Sequence, residues 1–434
     1  MSRKRVIIVG GGVSGLAAAG FLQDRFDCIL VEREKELGGY CRTIYQDGFT
    51  WDYSGHFFHF RHDWIADYVH ARMDTSRLLR IDRKSKIYFR GRYIDFPFQF
   101  NLHQLPMPDF IRCLADMYAA ARSGQHSFSS FRDMVYGRYG RALSDFFLIT
   151  YNEKLYSISA DQLDAEAMGR FFPHIDFSEL LARLALAAGG GANAKDTYNA
   201  QFSYHKDGAR AYVQALTSYI PNEIIWTNAV CDAIDIMRKR VRVAGEELSY
   251  DKLVISAPLP SILRLTGRAA RDGLLTANKV LVFNLGFDRP SLRSDHWVYY
   301  PEPEWVFFRV GHYDNILGGN RMSLYVEIAL EQGVTPNVEG LLTRTLNDLE
   351  RAGVIDGHAL VSKTIIMLDP AYVHVTGEGQ TFAAKSRAEL IACDVVPIGR
   401  YGRWTYCSIE DNILEAYNLA GDWGCNLNIG PRRT

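Results

Sequence analysis

The chain has 434 residues, too many for one compact core, so two or three folded units are expected. Lys plus Arg number 49 against 50 Asp plus Glu, a formal net charge of -1, which leaves no long-range field to hold nucleic acid or an acidic membrane. Seven scattered cysteines with no CxxC pair argue against a disulfide framework or a thiolate zinc site; with no stretch near the ~20 apolar residues of a membrane span and only a short apolar run after Arg5, a soluble cytoplasmic protein without a bound metal is expected.

In chain order, Val6 to Val9 reads as a buried strand, Ser14 to Gln23 as an Ala- and Leu-rich helix, and Cys28 to Glu32 as a second strand. Residues 85–98 read as a hairpin turning at Gly91-Arg92. From about 103 to 190 apolar residues recur at helical spacing, and Gly189 to Gly191 closes that block. Strand signals return at 228–257, 278–287, 296–300, 305–310 and 322–330, where β-branched and aromatic residues cluster. A helix is expected at 339–352, a short strand from Val395 to Ile398, and a last helix from about 409 to 420.

Gly10, Gly12 and Gly15 form a Gly-x-Gly-x-x-Gly run between the first strand and the first helix. These glycines allow the tight turn, the close approach of backbone N–H groups to a pyrophosphate, and helix-on-strand packing, while the helix N-terminus adds partial positive charge. Glu32 ends the second strand about 20 residues on, where a carboxylate accepts ribose hydroxyls. Glu34, Leu37-Gly38-Gly39 and Arg42-Thr43 resemble the second glycine box of amine oxidase-like and glutathione reductase-like flavoproteins, which makes FAD the expected dinucleotide.

Several further segments resemble the UDP-galactopyranose mutase family, and more closely its eukaryotic-type branch. They are Ser54-Gly55-His56-Phe57-Phe58-His59, Tyr151-Asn152-Glu153-Lys154-Leu155-Tyr156, Arg170, Phe307-Phe308-Arg309, Tyr372, and Gly399-Arg400-Tyr401-Gly402-Arg403-Trp404-Thr405-Tyr406 followed by Glu410-Asp411. Tyr156 stands where the family has tryptophan, and Tyr313 follows Arg309 closely. The Ala187 to Ala194 stretch is unusual for the family, and Gly421-Asp422 only superficially matches the flavin-ribityl Gly-Asp of amine oxidases.

The resemblance implies a flavin-dependent nucleotide-sugar mutase interconverting UDP-galactopyranose and UDP-galactofuranose for cell-surface glycans, with N5 of reduced FAD as nucleophile on the anomeric carbon. It implies catalytic roles for His56, Arg170, Arg309, Tyr372, Arg400 and Tyr406. Cofactor contacts would come from Gly10, Gly12, Ser14, Gly15, Glu32, Arg33, Gly38, Gly39, Arg42, Gly55, His56, Val230, Arg400, Glu410 and Asp411. Substrate contacts would come from Tyr151, Asn152, Tyr156, Arg170, Arg309, Tyr313, Tyr372 and Tyr406, with Arg170 and Arg309 gripping the pyrophosphate from two sides and Arg400 serving the flavin side. NAD(P)H is a candidate reductant, and a homo-oligomer is allowed. The expected fold is α/β: a discontinuous Rossmann-like FAD domain (1–60, 213–270 and 390–434), an inserted helical domain (101–195), and an antiparallel sheet domain (61–100, 196–212 and 271–389). The competing reading is an FAD-dependent oxidase or desaturase of the amine oxidase or protoporphyrinogen oxidase kind, which needs a hydrophobic substrate tunnel. A non-catalytic flavin- or nucleotide-sugar-binding protein is a third.

Overall fold

The computed structural model describes residues 3–188, 200–269, 271–427 and 429. Val6, Ile7 and Ile8 are fully buried on both faces of the strand Arg5–Val9, as an unbroken apolar run in a parallel sheet requires. That strand is central in a five-stranded parallel sheet ordered Val395–Pro397, Lys252–Ile255, Arg5–Val9, Asp27–Val31, Ile225–Trp226. The helices Val13–Leu22 and Ile409–Asp422 cover one face, sharing a core with Leu30, Val254 and Ile413. Segments from both ends of the chain and from the region near 250 therefore build one sheet.

A seven-stranded, mostly antiparallel sheet runs Leu360–Leu368, Lys279–Phe287, Ser323–Leu330, Arg309–His312, Trp297–Tyr299, Ser85–Phe89, Arg92–Asp95. Strand alternation sends Leu281, Phe283, Leu324 and Val326 to a core under the helix Val338–Arg351. The opposite face carries Tyr325, Glu327 and Arg309 toward the functional cavity. Helices Met107–Ser123, Phe131–Leu143, Ile149–Tyr156 and Phe177–Ala188 pack beside it. Gly140, at φ 72°, lets two of them cross closely, because a Cβ there would lie 2.5 Å from the Asp116 carbonyl carbon. No helix among the described residues is long and apolar enough to cross a membrane.

The α/β class with a parallel and an antiparallel sheet is the one expected, and local differences remain. The expected strand at 305–310 forms only as Arg309–His312. Trp305 and Phe307 instead fill a core with Tyr300, and the Val306 N–H bonds the Asp348 carboxylate rather than a neighbouring strand. The strand Leu360–Leu368 and the helices Arg210–Thr217 and Gly377–Ile391 carried no sequence expectation. The glycine run at 189–191 and the rest of the stretch to Ala194 lie outside the described residues.

Candidate functional site

The first half of the site is a glycine cradle. Gly10, at φ +106°, turns the chain out of its strand, and a Cβ on Gly15 would lie 1.8 Å from the Gly10 carbonyl oxygen, so only glycine lets the helix start there. At Gly12 the nearest protein atom to a Cβ is Gly39 Cα at 3.9 Å. The Gly38 N–H donates to the Gly11 carbonyl at 2.8 Å, which holds the second glycine box against the first. No side chain caps the helix Val13–Leu22, so its N-terminal N–H groups are left for a phosphate. Buried Glu32 accepts the backbone N–H groups of Gly11 (2.6 Å) and Glu34 (2.9 Å), and Val230 lies exposed just beyond Ala229, whose N–H bonds the Glu32 carbonyl. Arg42 donates through Nε to the Gly39 carbonyl at 2.8 Å and lies over the Tyr53 ring, while Arg33 is an exposed partner of Glu34. An open face at Gly12, two tight glycine approaches and a terminal carboxylate fit an extended dinucleotide.

The second half is a cavity of about 480 Å³. The turn at Gly399 (φ +76°) packs on Ser14, where a Cβ would lie 2.3 Å from Oγ, and its N–H donates to Glu415 at 2.7 Å. Asn412 accepts from the Arg400 N–H and from the Ser14 hydroxyl, both at 3.1 Å, so the cavity wall is anchored to the glycine cradle. Arg400 then extends among the rings of Tyr406 (4.7 Å), Tyr372 (5.2 Å) and Tyr401 (5.9 Å), and its shielded Nε and Nη2 find no hydrogen-bond partner among the described residues. Burial alone would weaken its charge; the surrounding Tyr401, Tyr406 and Tyr372 hold it firmly cationic. His56 follows Ser54, which sits at φ 144°, and its Nδ1 is also buried without a partner. Burial, then the charges of Arg400 and Arg309, lower its pKa to about 4, so the imidazole is neutral at ordinary pH.

Two other arginines enter the cavity already engaged. Arg309 faces Glu327 directly across the strand pair and grips it with Nε and with Nη2 (2.8 Å), while the Ser54 hydroxyl donates to the same carboxylate. Arg170 donates to Asp411 at 2.5 Å, and its neighbour Phe171 meets the Tyr406 ring edge-on at 4.9 Å. Toward the far end lie Arg83, whose guanidinium covers Phe96 at 4.8 Å, and the rings of Phe57, Phe100, Trp297 and Tyr299.

The flavin containing amine oxidoreductase family matches residues 13–347. The chain belongs to this family. Among its relatives, the zeta-carotene-forming phytoene desaturase of Myxococcus xanthus is 27% identical over 179 residues, 39% of this chain and 34% of that protein. Protoporphyrinogen oxidase 2 of Arabidopsis thaliana is 45% identical over 53 residues, 12% of this chain and 10% of that one. The chain spans about a third or less of the length of the curated relatives it matches. A crystal structure of reduced UDP-galactopyranose mutase superposes with a TM-score of 0.90 at 22% identity, covering 98% of this chain and 94% of that one, a likeness of fold. The glycine cradle thus belongs to the FAD-binding fold of this family.

In this member of the family, His56, Arg170, Arg309, Tyr372, Arg400 and Tyr406 all line one cavity, together with Gly55. Four residues expected to touch substrate stand one layer back. Tyr151 stacks on Phe147 and backs Tyr299, Asn152 spends its amide on the Leu148 carbonyl, and Tyr156 backs Tyr372. Tyr313 is fully buried and bonds the Ser54 carbonyl at 3.1 Å, so it shapes the His56 loop from behind. Glu410 and Asp411, expected near the cofactor, are committed elsewhere. Glu410 accepts the N–H groups of Arg61 and His62, both at 2.8 Å, and Asp411 closes a capping box with Ser408 and holds Arg170. Asp422 falls in the last turn of its helix, not at a helix start.

The sequence alone did not point to Glu327, Tyr325 and Arg83, which the fold brings to the cavity. Glu327 had a signal: a lone carboxylate inside the apolar run Ser323–Leu330 needs a buried partner.

Proposed function

We propose that this protein is a flavin-dependent nucleotide-sugar mutase interconverting pyranose and furanose rings, with UDP-galactopyranose as its substrate. The charge of the cavity carries the reading: four arginines, Arg83, Arg170, Arg309 and Arg400, against one lining carboxylate, Glu327, in a chain of net charge -1. A nucleotide sugar brings a charged pyrophosphate and many hydroxyls, which match guanidinium and tyrosine donors. The unpartnered Nε and Nη2 of Arg400 make it the foremost anion ligand, with Arg170 and Arg309 supporting it from pairs they already hold. Neutral His56 can donate or accept a hydrogen bond without adding charge.

Bound FAD, in its reduced form, supplies the nucleophile for the anomeric carbon. The chain's part is to orient the sugar over it and to exclude water, with Arg170 and Phe171 closing the rim onto Asp411 and Tyr406. NAD(P)H is the proposed source of reducing equivalents. The relatives that are a phytoene desaturase and a protoporphyrinogen oxidase favour a second reading, an oxidase or desaturase of an apolar substrate. The rings of Phe57, Phe96, Phe100 and Trp297 would suit such a ligand, but it would leave the buried Nε and Nη2 of Arg400 without an acceptor.

Incubating dithionite-reduced protein with UDP-galactopyranose separates the two. The mutase forms the ring-contracted product with no net consumption of electrons. Hydrogen peroxide formed in proportion to an apolar substrate, with no UDP binding, would replace this reading with the second.

A further inference from the structure

The strand Ser323–Leu330 alternates, and Tyr325 and Glu327 share the face turned to the cavity while Leu324, Val326 and Ile328 turn to the core behind. Tyr325 is fully buried, yet its hydroxyl has no hydrogen-bond partner among the described residues. Its ring stands where two side chains would otherwise be. Gly311 lies directly opposite on the neighbouring strand, and a Cβ there would fall 2.0 Å from the ring; a Cβ on Gly55, next to His56, would fall 2.6 Å from the hydroxyl oxygen. Tyr313 packs on the ring at 5.1 Å, and the Arg309 guanidinium carbon lies 5.7 Å from its centroid.

We infer that Tyr325 is a ligand-binding residue, whose hydroxyl donates a hydrogen bond to an uncharged oxygen of the substrate between His56 and Arg309. On the nucleotide-sugar reading, on which this rests, that oxygen belongs to the sugar. A buried hydroxyl without a partner weakens the folded chain, and phenylalanine would fill the same volume without that loss. A hydroxyl that leaves no room for a side chain at position 55 and still has no partner among the described residues is explained by a ligand that completes it. Burial, ahead of its neighbours' charges, keeps the phenol protonated far above its ordinary range, so it acts as a neutral donor. Glu327, two residues along the same face, disfavours a charged oxygen beside it and leaves the anion to Arg400.

The test is Tyr325→Phe in the flavin-loaded protein, titrated calorimetrically with UDP and with UDP-galactose after matching flavin content. The parent's affinity for UDP is retained, and that for UDP-galactose falls by about three- to ten-fold, the range of one neutral hydrogen bond. The melting temperature of the unliganded variant stays level or rises, because an unsatisfied group has been removed. A lower melting temperature with both ligands weakened alike would make Tyr325 a packing residue and overturn the inference. So would a changed flavin spectrum or flavin retention with UDP-galactose binding intact, which would assign the hydroxyl to the cofactor. If the parent binds both ligands and the variant matches it, this inference alone fails. If the parent binds neither, the nucleotide-sugar reading fails as well.

Discussion

Glu327 changes what Arg309 can do. Two of the three guanidinium nitrogens are spent on a carboxylate that is 1% exposed, and burial, which works against the arginine's charge, is more than offset by Glu327 and then Tyr372 and Tyr325. A pair of this kind is costly to break from one side, since the remaining charge is left buried alone. Arg309→Ala would leave a bare carboxylate in the cavity, and on the proposed function UDP affinity should fall by about a hundred-fold or more. Adding Glu327→Ala removes the repelling charge and should recover roughly ten-fold of that loss. Calorimetric titration of the two variants, with flavin content checked, decides it: a double variant no better than Arg309→Ala would mean that Glu327 has no part in the anion site. Arg309 itself was visible as a charge among aromatics; its partner was not, because cross-strand register depends on how the sheet folds.

Among the elements, the strand–glycine–helix unit at residues 5–22 was readable in full, because its chemistry is local. Its glycines do different jobs, and substitution should separate them. At Gly15 a methyl group would collide with the Gly10 carbonyl at 1.8 Å, so Gly15→Ala should destabilise the chain even without cofactor, by about 3 kcal/mol or more, the scale of a severe packing defect. At Gly12 the nearest atom across the fold to a Cβ, among the described residues, is Gly39 Cα at 3.9 Å, so Gly12→Val should fold with near-parent stability and lose the visible flavin absorbance. Denaturant melts and absorbance of the two purified variants check both; a yellow Gly12→Val protein would put the pyrophosphate elsewhere. The strand Leu360–Leu368 was harder to see. It lies at the sheet edge, mixes Ser, Lys and Thr with apolar residues, and draws its place from a long strand distant in sequence, Lys279–Phe287.

At the scale of the whole molecule, the cavity is closed by contacts between parts that lie far apart in the chain. Arg170, after the helix Ile149–Tyr156, reaches Asp411 in the first turn of the last helix, where side-chain exposures of 39% and 18% make the pair only partly shielded. On the proposed function, a pyrophosphate would compete with Asp411 for the same guanidinium. Asp411→Asn, which keeps an acceptor for the Ser408 cap while removing the charge, should therefore tighten UDP binding by about two- to five-fold, in keeping with a partly exposed pair worth ~1 kcal/mol or less. Weaker UDP binding by this variant would show instead that Asp411 positions Arg170 for the ligand.

The sequence alone carried the dinucleotide cradle, the His56 loop and the Gly399 to Tyr406 turn, because each is a short run whose spacing is itself the requirement. It also carried the α/β class, since apolar periodicity is a local property. Which arginine lacks a carboxylate partner was decided only in three dimensions. Arg309 and Arg170 are neutralised by Glu327 and Asp411, whereas Arg400 is wrapped in tyrosine rings with no carboxylate among the described residues in reach of its guanidinium. The layer in which Tyr151, Asn152, Tyr156 and Tyr313 stand was settled the same way. Residue type and spacing state what a side chain can donate, accept or charge; its distance from an opposite charge and from water is set by chain segments that only the folded core brings together.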